Sequence, residues 1–129
     1  MSTSTDDQIE QAIQNKGKTA PRVTPDDMQA NVVGEYYFTA EAGVRGMHLA
    51  GSGDYIPPQH PTLSMLTFCV LVLRNGFTVV GKSACVSPEN YDEEIGKTVA
   101  RANAEREIWP LMGYALQEKL HQSNSESSQ

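Results

Sequence analysis

The chain has 129 residues, 10 of them Lys or Arg and 16 Asp or Glu, which gives a formal net charge of −6. This length predicts one domain with a core that needs no disulfide staple, and the negative charge disfavours binding of a nucleic-acid polymer through a basic surface. No apolar run approaches the roughly 20 residues of a membrane span, and the polar N-terminus lacks the features of a signal peptide. We therefore expect a cytoplasmic protein that binds neither membranes nor nucleic-acid polymers.

The two ends of the chain differ from its middle. Residues 1–5 and 122–129 are Ser-rich and polar, which predicts disordered tails around a single α+β domain over residues 6–121. From Asp6 to Lys16 the pattern is that of a short helix, which Gly17 should end.

A second helix is predicted to begin at Thr24-Pro25, with Thr as the cap and Pro in the first turn. We expect this helix to end around Tyr36 to Phe38, with another short helical turn opening at Thr39. Because glycines and prolines are frequent between Gly43 and Pro61, this segment is predicted to be a long loop.

Residues 64–86 contain the strongest local signal, two apolar runs joined by Asn75-Gly76. Asn-Gly between such runs predicts an antiparallel hairpin with a two-residue type I′ turn. Arg74 would then pair with Phe77, and the fold would be a small antiparallel sheet built on this hairpin.

Alternate residues of both predicted strands are apolar, so both faces of the hairpin need cover. Either helices flank both faces or a second subunit covers one of them, and we expect a homodimer or a higher homo-oligomer. In this register Cys69 and Cys85 face opposite ways, which disfavours a disulfide between them.

A long helix is predicted after the hairpin. Asn90 is its expected cap, with Glu93 three residues later as in a capping box. Since proline disturbs a helix interior, a break is expected at Trp109-Pro110, followed by a last helix that ends near Leu120.

Groups for catalysis or metal binding are poorly supported. The three histidines, at positions 48, 60 and 121, are scattered and have no cysteine or histidine at metal-ligand spacing. A nucleophile–base pair of Cys85 and His60 is conceivable, but nothing local marks such a site. We expect no bound metal or cofactor and no enzymatic activity.

Polar residues on the long helix have two possible interpretations. Lys97, Arg101 and Glu105 recur every four residues on one helical face. Arginine can grip phosphate groups in a bidentate manner and an aromatic ring can stack on a base. The alternative reading is a solvated helix face with intrahelical pairs between glutamates and the basic residues.

Three motifs carry a family resemblance that covers roughly residues 9 to 120. They are NGFTV at Asn75 to Val79, SACVSPENYD at Ser83 to Asp92, and IWPLMGYAL at Ile108 to Leu116. The chain resembles a family of small tailed-phage proteins of the Gp49/Gp66 type. The part from hairpin to helix is also similar to phage Thoeris anti-defence proteins that act as sponges for cyclic ADP-ribose signals.

The resemblance implies a phage protein that acts in the host cytoplasm and sequesters a cyclic ADP-ribose isomer, or a cyclic oligonucleotide, without degrading it. It also implies a dimer or larger oligomer. The ligand-binding residues it implies on this chain are Phe77, Asn90, Tyr91, Arg101, Asn103 and Arg106, of which Arg101 would meet the phosphates and Phe77 or Tyr91 the purine.

Two other functions are compatible with the sequence. A small phage accessory protein would act through protein–protein contacts and have no nucleotide ligand. A hydrolase that uses Cys85 or Glu89 would consume the ligand, whereas a sponge would release it intact.

Overall fold

The computed structural model describes residues 4–17, 20–51 and 60–127. A three-stranded antiparallel sheet of order β1-β2-β3 lies at its centre. The strands are β1 (Val32–Thr39), β2 (Leu66–Leu73) and β3 (Thr78–Ala84). The helices are α1 (Ser4–Asn15), α2 (Pro25–Ala30), α3 (Ala40–Ala50) and α4 (Glu93–Ser127), with 3₁₀ turns at Pro61–Met65 and Pro88–Asn90. The predicted α+β fold class, with a small antiparallel sheet, short N-terminal helices and a long C-terminal helix, is confirmed.

The boundaries of the first two helices lie close to those predicted from their capping residues and from Gly17. Helix α1 starts at Ser4, inside the predicted tail, and Gly17 follows it with φ = 68°, a left-handed conformation that favours glycine. Thr24 and Asp27 form a reciprocal capping box at α2, with distances of 3.1 Å and 3.0 Å between side-chain oxygen and backbone nitrogen. Local polar chemistry is therefore enough to place the start of α2, whereas α1 begins two residues before the predicted Asp6.

The predicted end of the second helix is wrong. Helix α2 stops at Ala30, and after its C-cap Asn31 the eight residues Val32–Thr39 form the edge strand β1. The segment VVGEYYFT is rich in β-branched and aromatic residues, and its partner is β2, with Tyr36 opposite Val70 and Phe38 opposite Phe68. Pairing with a strand that is distant in sequence stabilises the extended conformation over a continued helix.

The predicted long loop is also partly wrong. Helix α3 occupies residues 40–50 and is capped by Thr39, whose hydroxyl accepts from the backbone N–H of Ala42 at 3.1 Å. Gly43 and Gly46 lower the helix propensity of this segment but do not prevent the helix. Residues 52–59 of the predicted loop lie outside the described residues.

The hairpin turn has three residues, not the predicted two. Leu73 accepts from the N–H of Gly76 at 2.8 Å and donates to the carbonyl of Phe77 at 2.8 Å, and Gly76 has φ = 92°. This is the pattern of a type I turn followed by a left-handed bulge residue. Each residue of β3 therefore pairs one position away from the prediction: Cys69 lies opposite Gly81 instead of Lys82. Cys69 and Cys85 now belong to the same face of the ladder, and both are free thiols.

The core lies between one face of the sheet and α4. Its buried residues are Met28, Cys69, Leu71, Leu73, Val79, Ala100, Ala104 and Ile108. Gly81 allows the closest approach, because a Cβ atom there would lie 2.1 Å from the carbonyl oxygen of Ala100 and 2.3 Å from the backbone nitrogen of Ala104. Glycine at this position and alanines on the helix therefore let α4 lie directly on β3.

Helix α4 starts and continues differently from the prediction. Asp92, not Asn90, caps it, with a carboxylate oxygen 3.0 Å from the backbone nitrogen of Ile95. The predicted break is wrong, because α4 is continuous through the exposed Pro110 to Ser127. The Ser-rich residues 122–127 form its last turns, and their predicted disorder stays a prediction. None of the described helices is long and apolar enough to cross a membrane.

Candidate functional site

The six residues predicted to bind a ligand lie at four places along α4 and the sheet. Arg101 lies on the side of α4 that meets α2 and β1, whereas Asn103 lies against β3. Arg106 follows on the exposed surface, and Phe77 lies beyond it near the hairpin turn. Asn90 and Tyr91 precede the helix.

Arg101 is the centre of a partly buried polar group that we call the Arg101 cluster, which consists of Gln29, Glu35, Arg101 and Glu105. Its guanidinium donates from Nε to Glu105 at 2.9 Å, donates from one terminal nitrogen to the Gln29 carbonyl oxygen at 2.8 Å, and pairs through the other with Glu35. Gln29 also donates to Glu105 at 3.0 Å. The Arg101 side chain is 11% exposed and that of Glu105 is 3% exposed.

These contacts account for all three guanidinium nitrogens of Arg101. The surrounding carboxylates, from Glu35 and Glu105, carry two negative charges against its single positive charge. Displacing Glu105, whose side chain is 3% exposed, would leave a buried charge without its partner and is costly. The Glu35 side chain is 50% exposed, so a phosphate could replace only this partner at lower cost. The intrahelical pairs of the alternative reading are therefore observed here and at Lys97, which lies 3.4 Å from Glu93.

Asn103 and Arg106 form a second, more accessible pair. The Asn103 amide donates to the carbonyl oxygen of Lys82 at 2.8 Å, and its own oxygen accepts from Arg106 at 3.0 Å. Among the described residues, no carboxylate lies within ion-pair distance of Arg106. This arginine is exposed and keeps most of its donors for solvent or a ligand.

Phe77 contributes to a shallow groove between the edge strand β3 and helix α4, which we call the β3–α4 groove. Phe77 is 53% exposed, and the groove has a volume of about 440 Å³, within the range of small-molecule sites. Its lining residues are Phe77, Thr78, Val79, Val80, Glu107, Pro110 and Leu111. Arg106 lies one helical turn before Pro110 but does not line the groove; it lines a neighbouring cavity with Asp6 and Trp109. The charged residue in the groove lining is Glu107.

Asn90 and Tyr91 do not reach this groove within one chain. Asn90 ends the 3₁₀ turn before α4 and is exposed, and Tyr91 is half-buried. About sixteen residues of helix separate them from the part of α4 beside Phe77, or roughly 24 Å at 1.5 Å per residue. One small ligand therefore cannot contact both ends of the predicted set in the same protomer.

The thiols are placed unlike catalytic nucleophiles. Burial raises the pKa of the Cys69 thiol, and it raises the pKa of the adjacent Tyr37 to about 12 with a further contribution from Cys69. Cys69 is therefore protonated at neutral pH. Cys85 donates to the Ser87 carbonyl at 3.1 Å. The described part of the chain contains no group of three or more His, Cys, Asp or Glu side chains that could hold a metal ion.

Some residues that define these places were missed from the sequence. Gln29 and Glu35 complete the Arg101 cluster, but they lie 72 and 66 residues before Arg101 and no local pattern connects them with it. Glu107 and Pro110 line the groove because α4 does not break. The β-branched and aromatic residues between Val32 and Phe38 favour a strand by composition, but no period-two alternation marks β1 in the sequence.

Comparison with known proteins identifies one family. The model of the phage protein (N4 Gp49/phage Sf6 gene 66) family matches residues 23–120, about three quarters of the chain. The matched segment includes α2, the whole sheet, and α4 as far as Leu120. Searches of curated proteins and of solved structures find no match.

Proposed function

We propose that this chain, which belongs to that phage protein family, sequesters a cyclic nucleotide immune signal in the cytoplasm of the infected host. The ligand class is a cyclic ADP-ribose isomer or a cyclic oligonucleotide, and the effect is to counter an anti-phage defence. The family match supports a phage protein. The ligand class is motivated by the resemblance of the hairpin-to-helix sequence to Thoeris sponges. The protein binds the signal stoichiometrically and releases it unchanged.

The observation that carries the proposal is the exposed Phe77 in the β3–α4 groove, whose helical wall includes Pro110. The exposed Arg106 precedes Pro110 by one helical turn, outside the groove lining. A purine stacks on the ring of Phe77, and a phosphate receives the guanidinium donors of Arg106. Asn103 orients that guanidinium through their 3.0 Å hydrogen bond.

Within this proposal Arg101 has a supporting role. Its guanidinium joins α4 to α2 and β1 through Gln29 and Glu35, so it positions the helix that bears Asn103 and Arg106. Because Asn90 and Tyr91 lie far from Phe77 in one chain, they contact the same ligand only if they belong to a second copy of the chain.

Isothermal calorimetry with a panel of cyclic ADP-ribose isomers and cyclic di- and trinucleotides tests the proposal. Binding of one member to the wild type is expected, with affinity lowered at least about tenfold by Arg106→Ala or Phe77→Ala, since one charge-assisted hydrogen bond or one stacked base contributes roughly 1.5 to 3 kcal/mol. Matched controls are Arg45→Ala on α3 and Tyr114→Ala on α4, which remove an arginine and an aromatic ring elsewhere and should leave the affinity unchanged.

Chromatography of the ligand after heat release separates a sponge from a hydrolase. Full recovery of intact ligand supports sequestration, whereas a new product contradicts it. An absence of binding across the panel, with a folded protein, also contradicts the proposal.

The second candidate function is that of a phage accessory protein that acts through protein–protein contacts. Exposed aromatic and aliphatic side chains on the uncovered sheet face favour it, since Tyr36 is 61%, Phe38 43% and Val80 52% exposed. This function predicts no calorimetric response to the nucleotide panel, and a protein partner whose binding is lost in Tyr36→Glu but kept in Tyr114→Glu.

A further inference from the structure

The sheet has one face that helix α4 does not cover, which we call the open sheet face. Seven of its residues are large and apolar: Tyr36, Phe38, Leu66, Phe68, Val70, Val72 and Val80. They share this face because Tyr36 lies opposite Val70, Phe38 opposite Phe68, and Val70 opposite Val80. Within the described part of the chain, only α3 packs near this face, at the Phe38–Phe68 end.

Helix α3 extends the apolar surface. None of its residues is buried, although Val44, Met47 and Leu49 are 44%, 77% and 59% exposed. Val44 and Met47 line a groove of about 650 Å³ together with Phe38 and Phe68, whose ring centroids are 5.5 Å apart. The open sheet face and this side of α3 therefore form one continuous surface.

We propose that this surface is the contact between two copies of the chain, which pack their sheets face to face across a two-fold axis. Size is the first argument. Three strands of seven or eight residues cover about 350 Å², and a helix of eleven residues adds about 150 Å². This flat footprint, about 500 Å² in all, is smaller than the ~800 Å² that each partner of a standard interface buries, and protruding side chains add to the area that a contact would bury.

Charge is the second argument for a second copy. Lys82 is the one charged residue among the strand positions on the open sheet face. Two such faces bring no acidic groups together, even though the chain has a net charge of −6. A two-fold contact covers both faces at once with the same patch, and sheets packed in this way interdigitate their side chains in a shared core. The proposal does not depend on nucleotide binding.

Sedimentation equilibrium over a concentration series provides the test. The wild type should have twice the 14.1 kDa mass of the chain. Val80→Glu and Tyr36→Glu should give the mass of one chain. The dissociation constant should rise on the order of 100-fold or more, because each copy of a two-fold dimer would contribute one new carboxylate to the buried contact. Val86→Glu and Tyr114→Glu make the same changes at sites that are 96% and 73% exposed and lie outside this surface, so they should keep the dimer.

A wild type that stays at the mass of one chain contradicts the proposal, and so does a dimer that survives Val80→Glu and Tyr36→Glu. Isotope-filtered NOE spectra of mixed labelled and unlabelled wild-type protein locate the contact without a variant. Intermolecular NOEs at the methyl groups of Val80 and Val70 support the proposal. Contacts at Tyr114 alone, or contacts of the face with residues 52–59 of the same chain, overturn it.

Discussion

Two arginines on α4, five residues apart, have opposite surroundings. Arg101 is 11% exposed and its guanidinium contacts Glu35, Glu105 and Gln29, whereas Arg106 is exposed and, among the residues that the structure describes, hydrogen-bonds only to Asn103. The first joins parts of the fold, and the second is available to a ligand. Residue type alone therefore does not separate a structural arginine from a binding one, because the distinction depends on which carboxylates the fold brings near.

The largest expected effect comes from displacing the helix that carries both arginines. Gly81→Ala should reduce the free energy of unfolding by on the order of 5 kcal/mol, because the new Cβ would overlap the backbone of Ala100 and Ala104, which cannot move independently of α4. Urea denaturation measures this change. Gly113→Ala is the matched control: nothing lies within 4 Å of its Cβ, and better helix propensity should stabilise the protein by about 0.5 to 1 kcal/mol. Equal effects of the two substitutions would contradict the close approach at Gly81.

Substituting each arginine in turn tests whether Arg101 stabilises the fold and Arg106 does not. Arg101→Ala should lower the free energy of unfolding by about 3 to 5 kcal/mol, since it leaves the buried Glu105 without its charged partner. Arg106→Ala, at an exposed site, should change it by less than about 0.5 kcal/mol. Chemical denaturation of both variants measures the difference. If both were equally mild, the Arg101 cluster would not stabilise the fold, and Arg101 would return as a candidate ligand residue.

The two glutamates next to these arginines give a smaller contrast. Glu105→Gln should destabilise the protein by about 2 kcal/mol, because it keeps the shape but removes a buried charge that pairs with Arg101. Glu107→Gln, in the exposed groove, should leave stability within about 0.5 kcal/mol of the wild type. In calorimetry the same Glu107→Gln change should strengthen binding of an anionic ligand, and a weakened affinity would argue against phosphate binding in this groove.

The smallest expected effect concerns the capping box of α2, the helix that carries Gln29 into the Arg101 cluster. Asp27 accepts from the backbone of Thr24, and this hydrogen bond lowers the pKa of its carboxyl. Since the folded-state pKa is lowered, the stabilisation is present above the pKa of the unfolded chain and is lost as pH falls through the folded-state value. Asp27→Ala should therefore cost about 1 kcal/mol at neutral pH, and the difference from the wild type should shrink in acid. A difference that does not vary with pH would exclude the carboxylate as its source.

Sequence patterns predicted the elements that local chemistry controls. Thr24-Pro25 marked the start of α2, Gly17 the end of α1, and the apolar runs around Asn75-Gly76 the two central strands. They did not predict the strand over residues 32–39, because its apolar residues fit a short helix as well as an edge strand. The turn length was wrong for a related reason: Asn-Gly is compatible with a two-residue or a three-residue loop, and pairing along the whole ladder decides between them.

The candidate site was less predictable than the fold. Arg101 and Arg106 are both arginines on one helix, and their helical positions place them on different sides of α4, but only Glu35 and Gln29 from other elements show which of them is neutralised. Pro110 was expected to end the helix, whereas it lies at an exposed position of a continuous α4 and lines the groove beside Phe77. An exposed position lets water satisfy the carbonyl that proline leaves without an intrahelical donor.

The sequence by itself determined the α+β class, the start of α2 and the two strands around Asn75-Gly76, because capping and turn signals act over a few residues. Tertiary structure alone decided that β1 is a strand, that Cys69 lies opposite Gly81, and that α4 covers one face of the sheet while the other stays open. These outcomes depend on contacts between residues far apart in the chain. The open sheet face and the accessible Arg106 are both consequences of where α4 lies. Gly81 sets that position, because the absence of a side chain lets the backbone of α4 approach β3 closely.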